Sequence, residues 1–119
     1  MARNARRASP PAADASVREE KSLLAVNARR SIRERTIIDR LEEFFGRDIS
    51  SHNTPIGDYV HGGPGAVRAL AAPINRFDGF HDDGLGLIPA DLQGIETIGE
   101  VVIAIVTWYR RNGWNVVFR

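Results

Sequence analysis

The chain has 119 residues, enough for one domain with a single modest core and a tail. Its 43% apolar and 26% charged content is that of an ordinary folded protein, and no apolar run reaches the roughly 18 to 20 residues that a membrane-spanning helix needs. Cysteine is absent, which excludes disulfides, thiol catalysis and thiolate metal sites together and agrees with a reducing, cytoplasmic setting.

The formal net charge of +1 is unevenly spread. Up to Arg35, nine basic residues stand against four acidic ones; from Thr36 onward seven basic residues meet eleven acidic ones. A basic N-terminal arm therefore precedes an acidic body. Such an arm suits contact with nucleic acid or another anionic surface, and it serves solubility or attraction to the protein's own body equally well.

Residues 1–15 hold Pro10-Pro11, several alanines and no large aliphatic side chain after Met1, the composition of a disordered arm. Ser16 with Glu19, and again Ser31 with Glu34, have the spacing of a capping box, in which a hydroxyl and a carboxylate satisfy backbone amides reciprocally. The first opens a helical extension over 16–30, which has only Leu23, Leu24 and Val26 to bury. The second opens a helix over Ile32 to Phe45, with Ile38, Leu41 and Phe45 on one stripe, Ile37 and Phe44 widening it, and Gly46 as its stop. One continuous helix through both segments is an alternative.

From Arg47 to Gly63 turn residues dominate, and Ile49, Ile56, Tyr59 and Val60 are the available anchors. Pro64 suits the first position of a helix through Val67 and Leu70. Pro73 predicts a break near Ala72, followed by a short turn over Ile74 to Phe77. Asp78-Gly79 and Asp82-Asp83-Gly84 read as loop, and Asp91 as the cap of a short turn over Leu92 to Ile95.

The last helix carries the strongest signals. Thr97 and Glu100 form a capping box, Ile98, Val101, Val102, Ile105, Trp108 and Tyr109 recur at helical spacing, and Arg110, Arg111 and Gly113 close the segment. The competing reading is a hairpin, since Asn112-Gly113 suits a tight turn before WNVVF. Agreement among cap, basic last turn and glycine favours the helix. The predicted architecture for 31–119 is thus an all-α, four-helix bundle with a C-terminal aromatic tail.

SIRERTIIDRLEEFFG resembles the first helix of acyl carrier proteins, and FDGFHDDGLGLIPADLQGIETIGEVVIAI resembles their second half. The resemblance runs from about Ser31 to Tyr109 and implies an acyl-carrier-like bundle. It also implies a serine, esterified by 4′-phosphopantetheine, at the start of the second helix. Counting back from Phe77 puts that place near Gly63, and counting from Phe80 puts it near Ala66, where HGGPGAV offers no hydroxyl. No serine follows Ser51, so no local shift restores the attachment site, and no cofactor is expected. Where carriers present an acidic second helix to their enzymes, Pro64 to Phe77 carries Arg68 and Arg76 and no carboxylate. Pro64, Val67, Arg68 and Arg76 are the expected partner-binding residues, facing a protein of altered charge.

Other chemistry is thinly supported. His81-Asp82-Asp83 is the one tight group of metal-capable side chains and reads as a solvated loop. His61 before Gly62-Gly63-Pro64-Gly65 lacks the lysine and hydroxyl of a nucleotide-binding loop. No nucleophile is paired with a histidine in a recognisable pattern, so the chain does not read as an enzyme. Trp114, Val116 and Phe118 alternate along the tail, which either folds back on the bundle or offers an adhesive edge for a homo-oligomer.

Overall fold

A computed structural model describes residues 30–118 of the chain. The arm at 1–15 and the extension at 16–30, apart from Arg30, lie outside the described residues, as does the nucleic-acid contact expected of them.

The fold is mostly helical, but it departs from an all-α bundle at its two ends. Ser31–Arg33 forms a short strand, β1, which pairs in parallel with β2, Asn115–Val117. The register sets Ser31 against Asn115, Ile32 against Val116 and Arg33 against Val117. In each strand the central residue, Ile32 or Val116, is buried while its neighbours are exposed, the alternation expected of a strand with one covered face. The pairing takes Ser31 out of the predicted capping box and ends any continuous helix from the extension.

Helix α1, Glu34–Phe45, accordingly starts with Arg33 as its cap, in extended conformation and without a side-chain capping bond. Its apolar face is the one the sequence predicts. Ile37, Ile38 and Leu41 are buried, and Phe44 and Phe45 pack half-buried at the far end. Gly46 stops it in the left-handed conformation (φ 67°) and donates its amide to the Glu42 carbonyl, a conformation that is inexpensive only without a Cβ.

The long connection after α1 is tied down at both flanks. Ile49 gives its amide to the Glu42 carboxylate at 2.7 Å. The Tyr59 hydroxyl donates to the Asp48 carbonyl, and the Arg47 guanidinium to that of Asp58. Ile49, Ile56 and Val60 are buried, as expected of its anchors, and Tyr59 is half-buried. A single turn of 3-10 helix spans Ile56–Asp58.

The segment after Gly62 starts as a 3-10 helix over Gly63–Leu70 and becomes α-helical in α2, Ala71–Asn75. The break predicted near Ala72 is therefore displaced to Leu70. Pro73 follows within the first turn of α2. Asp78–Asp82, read from sequence as loop, is a short helix, α3, around the fully buried Phe80. The Asn75 side-chain amide then both donates to the Leu87 carbonyl and accepts from the Leu87 amide, each at 2.8 Å. It treats that residue as a neighbouring strand would. The short turn expected over Leu92 to Ile95 lies instead at Pro89–Leu92, with Ile88 and not Asp91 as its cap, and the Asp91 carboxylate within it accepts from the Ile88 amide at 2.9 Å.

Helix α4, Ile98–Arg111, is a helix and not half of a hairpin. Ile98, Val101, Val102, Ile105 and Tyr109 are buried; Trp108 is half-buried. The Glu100 carboxylate reaches back to the amides of Glu96 and Thr97 at 2.6 and 3.1 Å. The Glu100 amide itself donates to the Thr97 backbone carbonyl at 3.1 Å, so the glutamate supplies the effective half of the box. Buried side chains from β1, α1, the connection, the 3-10 segment, α3 and α4 form one apolar core. No helix among the described residues is long and apolar enough to cross a membrane.

Candidate functional site

The residues singled out in sequence lie along the 3-10 segment and α2. Gly63 opens the 3-10 helix with φ 63°. Pro64 and Arg68 are exposed, and so is Arg76, the residue that ends α2. Neither arginine has an ion-pair partner among the described residues. Val67 is fully buried, which corrects its expected role: it anchors this segment from below and is not available for contact. The face that remains is basic and small-sided, and no serine or threonine occurs from Pro55 through Glu96.

A second site, which sequence reasoning missed, lies where α1, α3 and the end of α4 meet. The Arg40 guanidinium donates to the Asp83 carboxylate at 2.8 Å and reaches the Tyr109 hydroxyl at 3.2 Å. Tyr109 in turn donates to the same Asp83 oxygen at 2.7 Å. The arginine also lies over the Phe80 ring, 5.4 Å from its centroid, and against Gly79, where a Cβ would collide with the guanidinium. Charge, hydroxyl and carboxylate thus satisfy one another in a partly desolvated place, where an unpaired charge would be costly. Burial, and then the bond to Asp83, push the Tyr109 phenol well above its ordinary pKa. It stays protonated and keeps donating.

Beside this network runs a groove of about 440 Å³. All three residues of β1 line one side. Thr36 joins Arg40 from one face of α1, as their four-residue spacing requires. Asp83 and the half-buried Trp114 ring complete it. Arg30 sits over that ring, 5.5 Å from its centroid, and the ring meets Tyr109 edge to face at 5.0 Å. Arg30 and Arg33 have no ion-pair partner among the described residues, whereas Asp83, the one lining carboxylate, is committed to Arg40. The groove is therefore basic in excess. Trp114 was legible only as part of an aromatic tail, and Arg40, Asp83 and Tyr109 are too far apart in sequence to be read as one cluster.

The expected loop character of the metal-capable run is partly correct. His81 and Asp82 are exposed at the end of α3, while Asp83 turns inward to Arg40 and Tyr109. Three or more metal-capable side chains do not converge anywhere among the described residues. No protein family, curated protein or solved structure matches this chain.

Proposed function

We propose that this protein is a carrier-like helical bundle that works by protein contact and bears no phosphopantetheine. What carries the reading is the order of its elements combined with the composition of one junction. A first amphipathic helix is followed by a long tied connection, a second helical stretch from Gly63, the short helix α3, a short 3-10 turn at Pro89–Leu92 and a glutamate-capped last helix. At the start of that second stretch, where a carrier holds its serine, the sequence is Gly62-Gly63-Pro64-Gly65-Ala66. Glycine, proline and alanine offer no oxygen nucleophile to a phosphopantetheinyl transferase.

The exposed Arg68 and Arg76 extend the reading to partners. A carrier docks through acidic groups on this stretch, so a basic face excludes partners built for the acidic one and favours a protein presenting carboxylates. The role is docking or structural, within an acyl-transfer, lipid or larger protein assembly.

Two measurements test the proposal. Intact mass after incubation with a phosphopantetheinyl transferase and coenzyme A is expected to be unchanged; an increment mapped to 62–67 would sink it. Affinity purification from the native source should recover a partner that an Arg68→Glu, Arg76→Glu double variant of unchanged helicity fails to retain. Equal recovery by both proteins would remove this face from the interaction.

A further inference from the structure

The groove beside β1 has a property that neither its charge nor its aromatic ring conveys alone. Side chains of successive strand residues point to opposite faces, yet Ser31, Ile32 and Arg33 all line this groove. A groove touching three consecutive residues runs along the strand's edge. The ladder bonds fix which backbone groups that edge displays. The Asn115 amide donates to the Arg30 carbonyl at 2.9 Å, and in a parallel pair alternate residues of a strand bond to the neighbour. With Ser31 set opposite Asn115, the backbone groups of Ile32 turn toward β2, and those of Ser31, with the Arg33 amide, turn away from it. Among the described residues the sheet has only these two strands, so the outward groups border the groove.

From this we infer that the β1 edge is a docking site for an extended acidic peptide segment of a partner protein, which adds a third strand to the sheet. Backbone groups of Ser31 and Arg33 supply the pairing, as in other cases of strand addition. Arg30 and Arg33 flank the edge with positive charge that no carboxylate among the described residues neutralises, and Trp114 offers an apolar surface for an alternate side chain. Arg40, held by Asp83 and Tyr109, forms the rigid end of the groove.

Two other occupants fit less well. A second copy could bring its β2 edge, but β2 is followed by Arg119 and preceded by Arg110 and Arg111, so like charges would meet. A nucleic acid would use the arginines and the tryptophan but leave the strand's amides and carbonyl unpaired. The inference stands apart from the carrier-like reading, because the groove shares no residue with the Arg68 and Arg76 face.

The test is a titration of the isotope-labelled full-length protein with the capped peptide acetyl-Glu-Val-Glu-Thr-Glu-Val-amide, followed by NMR. Saturable shifts are expected to centre on the Ser31 and Arg33 amides and the Trp114 indole. Arg33→Glu should weaken binding about five- to tenfold, with Arg33→Gln between the two, and core resonances such as Ile105 serve as the check on folding. N-methylation of one set of alternate peptide residues should abolish binding while the other set is tolerated, a result that side-chain attraction alone would not give. Tolerance of both sets would overturn the inference, as would absence of shifts at β1. Equal binding of the lysine counterpart, or displacement of the peptide by a single-stranded oligonucleotide at lower concentration, would also overturn it. The Arg68→Glu, Arg76→Glu variant should bind this peptide unchanged, which separates a failure here from a failure of the proposed function.

Discussion

The two ends of α4 are tied to the rest of the fold by different kinds of bond. At its start the amides of Ile98 and Gly99, which no helical carbonyl can reach, donate to the carbonyls of Thr54 and His52, each at 2.9 Å, while Ile56 donates to the Glu96 carbonyl. The connection after α1 thus closes the first turn through backbone groups. Ten residues on, the same helix is fixed by side chains, with Tyr109 bonded to Asp83 and Arg40. Backbone closure depends on how near two chain segments approach; side-chain closure depends on which atoms are present. One is therefore sensitive to volume and the other to chemistry.

The volume-sensitive end should give the largest effect. A Cβ on Gly99 would lie 2.6 Å from the His52 Cβ and 2.7 Å from its carbonyl oxygen, and a backbone atom cannot swing aside. Gly99→Ala is expected to destabilise the protein by about 3 kcal/mol, read from urea unfolding. A loss below about 0.5 kcal/mol would show that the connection and α4 separate easily.

At the chemical end, Tyr109→Phe keeps the ring packing against Trp108 and Trp114 and removes one hydroxyl. The expected loss is smaller, about 1 to 2 kcal/mol, since Arg40 and Asp83 keep each other. It has a signature in pH. The folded-state pKa of Tyr109 is raised above the ordinary 10.0, so its contribution is complete below that value and declines as pH rises beyond it. Thermal midpoints measured upward from about pH 9 should fall more steeply in the wild type than in Tyr109→Phe. Parallel curves would mean that the phenol ionises freely in the folded state.

The smallest effect belongs to Glu100. Hydrogen bonds from the Glu96 and then the Thr97 amide hold its carboxyl below the ordinary 4.5. Its stabilisation is present above that value and is lost as pH falls through the lower folded one. Glu100→Gln should flatten the acid side of the stability profile and leave the alkaline side unchanged, a split that thermal melts across both ranges can read.

The contrast between the two ends also explains what was legible in sequence. The apolar stripes of α1 and α4, the glycine stop at Gly46 and the anchors Ile49, Ile56 and Val60 all follow from spacing within a few residues, and they stand where the spacing put them. Ser31 with Glu34 has the same local chemistry, yet Ser31 belongs to a strand because Asn115 to Val117, far along the chain, competes for its backbone. Pro73 pointed to a break near Ala72 and the change falls at Leu70, since a 3-10 segment upstream shifted where the α-helical register begins. Val67 looked like a surface contact only because the side on which a glycine-rich 3-10 turn rests is not written in its period. The Arg40, Asp83 and Tyr109 group was out of reach for a related reason: its members come from three elements, and nothing in the neighbours of each announces the others.

Pairing β1 with β2 joins residues more than eighty positions apart, and that span has a kinetic meaning. Closing so long a loop has a large entropic cost and returns only a few ladder bonds, so the pairing gains little until α1 and α4 have already met. It should form late in folding and be the first part of the sheet and helix assembly to open. In native-state hydrogen exchange, the Ile32 and Asn115 amides should exchange through a partial opening of lower free energy than the one that releases the Ile105 amide. A fold whose two flanking strands are fastened last can release them without unfolding its middle.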